Sequence, residues 1–204
     1  MTVRVTYVLG LGRSGSTVIG RALAEVLGAV PADEVMAVWQ RGVLEDRVCS
    51  CGERFSACGY WQAVVATSPS SFEPETASRV VVEIHRLMGV FGPLRALTRR
   101  RRAALVASVP EWWFDAVGAL YRGIAVVGGA DAIVDTSKAP VLAWLLARAP
   151  GVSVRTVLIV RDPRDVARSW RRPPALPDGA HDLPVLAPWK TAVCLLYTSP
   201  SPRD

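Results

Sequence analysis

An α/β fold, a three-layer sandwich around a central parallel sheet, is predicted by three observations. Apolar runs at residues 3–9, 132–135 and 152–160 each precede a helical pattern. A glycine-rich turn joins the first run to its helix. The chain has 204 residues, 50% of them apolar and 21% charged, enough for the core of one domain. Strands that alternate with helices build a parallel sheet with right-handed crossovers, and ligands bind beyond the carboxyl ends of its strands. Here those ends are the turn after Leu9, the stretch Asp135-Thr136-Ser137-Lys138, and Arg161-Asp162.

The turn reads Gly10-Leu11-Gly12-Arg13-Ser14-Gly15-Ser16-Thr17. The helix after it carries an apolar stripe at Val18, Ile19, Ala22, Leu23, Val26 and Leu27 and stops at Gly28, the residue expected just past a helix end. Its unpaired N–H groups and positive dipole end face the turn and favour a phosphate or sulfate. The ATP-binding pattern G-x-x-x-x-G-K-[ST] is broken, because Ser16 stands where the lysine belongs. The cation is inside the loop instead, as Arg13, whose planar fork suits a tetrahedral anion.

Residues 34–39 read as a second, short strand or extended segment, followed by a cysteine loop over residues 49–58. Residues 73–88, 98–109 and 110–127 read as helices, as do 141–148 and 163–170 after the later strands. In the last of these, Asp162 is the expected N-cap and Pro163 the first helical residue, which fixes Arg161 at the strand exit.

The formal net charge of +6 rests almost entirely on arginine, with lysine only at Lys138 and Lys190. A basic balance suits an anionic ligand and also nucleic acid. The cluster Arg99 to Arg102 lacks interleaved aromatics and reads as a solvated helix face, so no nucleic acid is expected as partner. No stretch has the length of a membrane span or the form of a secretion signal, and a cytoplasmic protein is expected. Arginine, alanine, valine, glycine and proline usage suggests a GC-rich bacterial source. Cys49, Cys51 and Cys58 follow C-x-C-x₆-C, which lacks the paired spacing of strong zinc motifs, and no metal is expected. Glu34 is the candidate general base, with Asp33 and His181 as rivals, and His85 reads as structural.

Taken together, the loop at Arg13 to Thr17, Lys138 after a central strand, and Arg161 with Ser169 eight residues on resemble the sulfotransferases that use 3′-phosphoadenosine 5′-phosphosulfate. Asp33-Glu34-Val35 with Trp39 and Arg41-Gly42, the Cys49 to Trp61 stretch, and Asp135 to Pro140 are similar to the bacterial branch of that family. The resemblance covers most of residues 3–172. It implies a P-loop-like sulfotransferase fold and this nucleotide as co-substrate. Gly12, Arg13, Ser14, Gly15, Ser16 and Thr17 would hold the 5′-phosphosulfate, and Arg161 and Ser169 the 3′-phosphate. Arg13 and Lys138 would stabilise the sulfuryl group in transfer, and Glu34 would deprotonate a small-molecule or carbohydrate hydroxyl acceptor. Two alternatives remain: a phosphate-loop kinase with a degenerate ATP motif, and an arginine-rich nucleic-acid-binding module.

Residues 194–204 break the composition of the chain and resemble the translation of a transposase adaptor used in short-read sequencing libraries. The expected organisation is therefore a sulfotransferase domain over residues 1–193, cut at Val193, with a non-native tail. The family continues past that point with a segment that closes over the adenine, so weak nucleotide binding and little or no turnover are expected of this chain.

Overall fold

The computed structural model describes residues 2–89 and 99–170. His181, Lys190 and the tail at 194–204 lie outside them. Strands β1 (Val3–Leu9), β2 (Val30–Ala32), β3 (Ala132–Lys138) and β4 (Val152–Leu158) form one parallel sheet in the order β2-β3-β1-β4. The α-helices are α1 (Ser16–Leu27), α2 (Gly59–Thr67), α3 (Pro74–Met88), α4 (Arg99–Ala107), α5 (Glu111–Gly128), α6 (Pro140–Leu146) and α7 (Pro163–Trp170). No helix among the described residues is long and apolar enough to cross a membrane.

The chain leaves β1 through α1, passing over β3 to reach β2, and leaves β3 through α6, passing over β1 to reach β4. Crossovers in opposite directions that share one hand lie on opposite faces of a sheet. The core follows this rule. Val3, Val5 and Tyr7 of β1 pack with Trp113, Leu120, Tyr121 and Ile124 of α5 and with Leu145 and Leu146 of α6. Val8 and Val134 face the other way, onto Ala24 of α1. Neighbouring strands β1 and β3 thus send their following helices to opposite faces, which opens a crevice between their carboxyl ends. In register Leu9 pairs with Lys138 on one side and with Leu158 on the other, so the three strand ends lie level.

Two stretches differ from the sequence reading. Residues 34–39 are not a strand: β2 ends at Ala32, and a 3₁₀ turn (Val35–Ala37) and a π-helix (Val38–Leu44) follow. Pro31 fits β2 because an edge strand can spare its N–H. Val35, Met36, Val38 and Trp39 are all buried, a helical spacing and not a strand's alternation. Trp39 fixes the segment by donating its Nε1–H to the Ser71 carbonyl at 2.9 Å and stacking on Phe72. Helix α2, where the sequence reading assigns no element, packs its Val64 beneath α5.

The apolar stripe of α1 also faces differently. Val18 is 74% and Val26 83% exposed, while Ser16, Gly20 and Ala24 are the residues that pack on the sheet. Small side chains let the helix lie close on β3. A Cβ at Gly20 would overlap the Thr136 methyl, and Thr136 is itself buried and, being β-branched, stiff about its first side-chain bond. Gly20→Ala is therefore expected to lose about 1–3 kcal/mol through overpacking despite the better helix propensity of alanine. Thr136→Ser in the same molecule should return most of it, and additive urea-denaturation losses for the pair would show that the two sites do not touch.

Candidate functional site

The turn after β1 is built on backbone that side chains resist. Gly10 has φ +156° and Gly15 φ +86°, and Arg13 lies at φ +69° with a side chain present. The turn closes through the Ser14 N–H on the Leu11 carbonyl at 3.2 Å, and α1 opens with the Ile19 N–H on the Gly15 carbonyl at 3.1 Å. Gly15 and Thr17 are exposed, Gly12 and Arg13 half-buried, and Ser14 and Ser16 buried. Ser14 thus spends its N–H on the turn, and its Oγ is buried without a hydrogen bond. The early amides of α1 have no acceptor within the helix, as at any helix start, so the anion-binding capacity lies with Arg13 and with α1 more than with Ser14.

Helix α7 closes over this turn from β4. Asp162 caps it as predicted, accepting the Arg164 N–H at 2.8 Å, and the Arg164 guanidinium, followed by that backbone bond, holds its carboxyl down at about 2. Arg161, just outside the cap, donates from its guanidinium to the Arg13 carbonyl at 3.0 Å. At the far end of α7 the Trp170 ring lies against the turn: a Cβ on Gly12 would come within 2.9 Å of it, and the Arg13 guanidinium stands 5.9 Å from its centroid. Ser169 is half-buried in the same final turn of α7.

On the other side of β1, Lys138 leaves β3 with φ +69° and turns its ammonium onto the Glu34 carboxylate at 2.7 Å. Arg41 of the π-helix meets the other oxygen of that carboxylate, also at 2.7 Å. Burial raises the pKa of Glu34, but the charges and hydrogen bonds of Lys138 and then Arg41 outweigh it, and the net shift is downward. Two residues that the sequence reading assigns to one site are thus brought together. Asp33 points elsewhere, to Arg21 at 3.3 Å. His85 is exposed on α3, and Arg100, Arg101 and Arg102 are exposed on α4.

Asp135 supports this arrangement. It is fully buried, and its carboxylate accepts the Ser137 N–H at 2.7 Å, the Ser137 hydroxyl at 2.6 Å and the Tyr121 hydroxyl. Ser137 Oγ in turn accepts the Met36 N–H at 3.2 Å, and the Thr136 N–H bonds the Asp33 carbonyl at 2.9 Å. The segment bearing Glu34 therefore hangs on the end of β3. Burial pushes the Asp135 carboxyl up to about 6 against the opposing pull of these donors. Burial, and next the Asp135 charge, keeps the Tyr7 phenol well above its usual range.

Arg41, Asp135 and Trp170 are the contributors that the sequence reading did not assign. A visible signal existed for one of them, an acid directly after three apolar strand residues at 132–134. Comparison with family models, with curated proteins and with solved structures gives no match to this chain.

Two measurements check this electrostatic frame. The folded Asp135 keeps its proton to about pH 6 whereas an ordinary aspartate loses it near 3.8, so its contribution is full below that lower value and is lost as pH rises. Urea midpoints should show the protein losing about 3 kcal/mol relative to Asp135→Asn between roughly pH 4 and 7, and parallel profiles would mean that Asp135 does not titrate there. For Glu34 the sign is opposite. Lys138→Ala should move its carboxyl midpoint upward in carbon-13 NMR, and an unmoved midpoint would show that the pair is not formed in solution.

Proposed function

We propose that the chain is a sulfotransferase of P-loop-like fold that moves a sulfuryl group from 3′-phosphoadenosine 5′-phosphosulfate to a hydroxyl acceptor. The observation that carries the reading is the 3.0 Å bond from Arg161 to the Arg13 carbonyl, which joins the two nucleotide motifs across adjacent strands β1 and β4. Arg13 with the amides that open α1 takes the 5′-phosphosulfate, and Arg161 with Ser169 takes the 3′-phosphate.

Transfer is an in-line displacement. The acceptor oxygen forms a bond to sulfur, the bond from sulfur to the bridging phosphate oxygen breaks, and the acceptor proton passes to Glu34. Charge that builds on the equatorial and bridging oxygens meets Arg13 and Lys138. The Lys138–Glu34 pair gives the order of events. Paired, Glu34 is a weak base; when the donor arrives the ammonium turns from Glu34 to the bridging oxygen, and the carboxylate regains basicity as the leaving group gains its counter-charge. Arg41 remains as the group that orients it.

Isothermal calorimetry tests the nucleotide part. Adenosine 3′,5′-bisphosphate should bind about 100-fold or more tightly than ATP with magnesium, and Arg161→Ala should weaken it about 10- to 100-fold, the range of one or two charge-assisted hydrogen bonds. Equal affinity for the two nucleotides would overturn the reading and favour the kinase alternative.

A further inference from the structure

The loop between the π-helix and α2 gathers three thiols that the sequence spacing leaves apart. The sulfur atoms of Cys49, Cys51 and Cys58 all lie within 4.8 Å of one another, with Cys51 and Cys58 at 3.6 Å. We propose that these three cysteines form a binding site for one thiophilic divalent ion of the zinc class, with the fourth position of a tetrahedron filled by solvent.

Distance is the first argument. Metal–sulfur bonds of about 2.3 Å in a tetrahedron hold thiolates about 3.8 Å apart, so only small side-chain adjustments bring the three sulfurs onto one ion. The second argument is the scaffold. Cys49 to Gly52 is a tight turn in which the Gly52 N–H bonds the Cys49 carbonyl at 2.9 Å with Gly52 at φ +92°. The Cys49 N–H then closes on the Glu53 carbonyl at 2.7 Å, beside the antiparallel bridge Val48–Arg54. Cys58 is the residue that opens α2, so the positive end of that nine-residue helix faces the negative charge that three thiolates would collect. A turn and a helix start, each contributing sulfur, converge on one point.

Exposure agrees with an ion site and not with a core role. Cys58 is buried, Cys49 half-buried and Cys51 exposed, which leaves an open side for the ion and its solvent ligand. Among the described residues no histidine or carboxylate joins the group. A disulfide between Cys51 and Cys58 would use two thiols and leave the third idle, whereas an ion uses all three.

The expectation of no metal rested on C-x-C-x₆-C. That spacing does not report that the start of α2 carries Cys58 back to the turn. The loop is tied to the π-helix and to α2: Asp46 accepts the Ser56 N–H at 2.8 Å and hydroxyl at 3.0 Å, the Phe55 N–H bonds the Arg47 carbonyl at 3.1 Å, Gln62 donates to the Phe55 carbonyl at 3.0 Å, and Phe55 lies against Gly42. Gly42 follows Arg41, the residue that holds Glu34. An ion at the thiols would staple the loop that backs this arginine.

The test uses the full chain carrying Cys194→Ser, so that no thiol outside the cluster competes. It is reduced, stripped of metal under nitrogen and titrated with Co²⁺. One equivalent should bring up the ultraviolet thiolate-to-cobalt charge-transfer band with the visible bands of a tetrahedral centre, and one equivalent of Zn²⁺ should abolish both. Cys51→Ser, at the exposed position, should keep the native circular dichroism yet weaken binding by more than about 100-fold, beyond the cost of losing an outer hydrogen bond to a metal ligand. Three outcomes would overturn the site: no charge-transfer band with excess Co²⁺ on natively folded protein, a spectrum unchanged in Cys51→Ser, or formation of a Cys51–Cys58 disulfide in air despite equimolar zinc. None of these readouts involves nucleotide or turnover, so the result is separate from the fate of the sulfotransferase reading.

Discussion

A carboxylate removed from water governs the arrangement of this molecule. Taking Asp135 out of solvent costs several kcal/mol unless donors surround it, and the donors it finds are the Ser137 N–H and hydroxyl, the Tyr121 hydroxyl and the backbone N–H of Val35. One comes from α5, two from the end of its own strand and one from the turn after β2. Satisfying a single buried group therefore ties the helical layer, the sheet and the segment that carries Glu34. Lys138 leaves the sheet three residues beyond Asp135, and its ammonium meets Glu34 because both ends of that short path are fixed from within.

The loop after β1 depends on a different economy of space. Helix α1 approaches the sheet through Ser16, Gly20 and Ala24, and this leaves larger apolar side chains such as Val18 and Val26 on its outer side. Close approach sets the helix start directly beyond β1, where strand direction and helix dipole point at the same place. Trp170 then confines the turn from α7, and Gly12 is the position whose missing side chain makes room for its ring.

Strands and long helices were legible because their signals are local. The apolar runs, Gly28 after α1, and Asp162-Pro163 before α7 each state a boundary within a few residues, and the structure keeps all of them. The joining of Glu34 to Lys138 was foreseen only as membership of one site, and the contact itself depends on strand order, which no local pattern contains. Residues 34–39 were misread because a short mixed apolar segment fits strand and helix alike, and the decision fell to Asp135 and Ser137, a hundred residues away. The outward stripe of α1 was hidden for a related reason. Periodicity identifies a helix, whereas which face packs was settled here by the room that Thr136 leaves above β3.

The π-helix at Val38–Leu44 also bears on how this site could change over evolutionary time. A wider turn of this kind holds one residue more than an α-turn would, seen where the Glu45 N–H reaches back to the Gln40 carbonyl at 3.0 Å. Trp39 faces inward and Arg41 faces Glu34 only while that extra residue is accommodated. Loss of one codon within the segment would relax it to an ordinary helix and change which of its residues face inward and which face Glu34. Substitutions here alter one contact at a time, but a change in length re-aims the whole stretch, so descendants of this sequence should vary in residue type across 38–44 far more freely than in number.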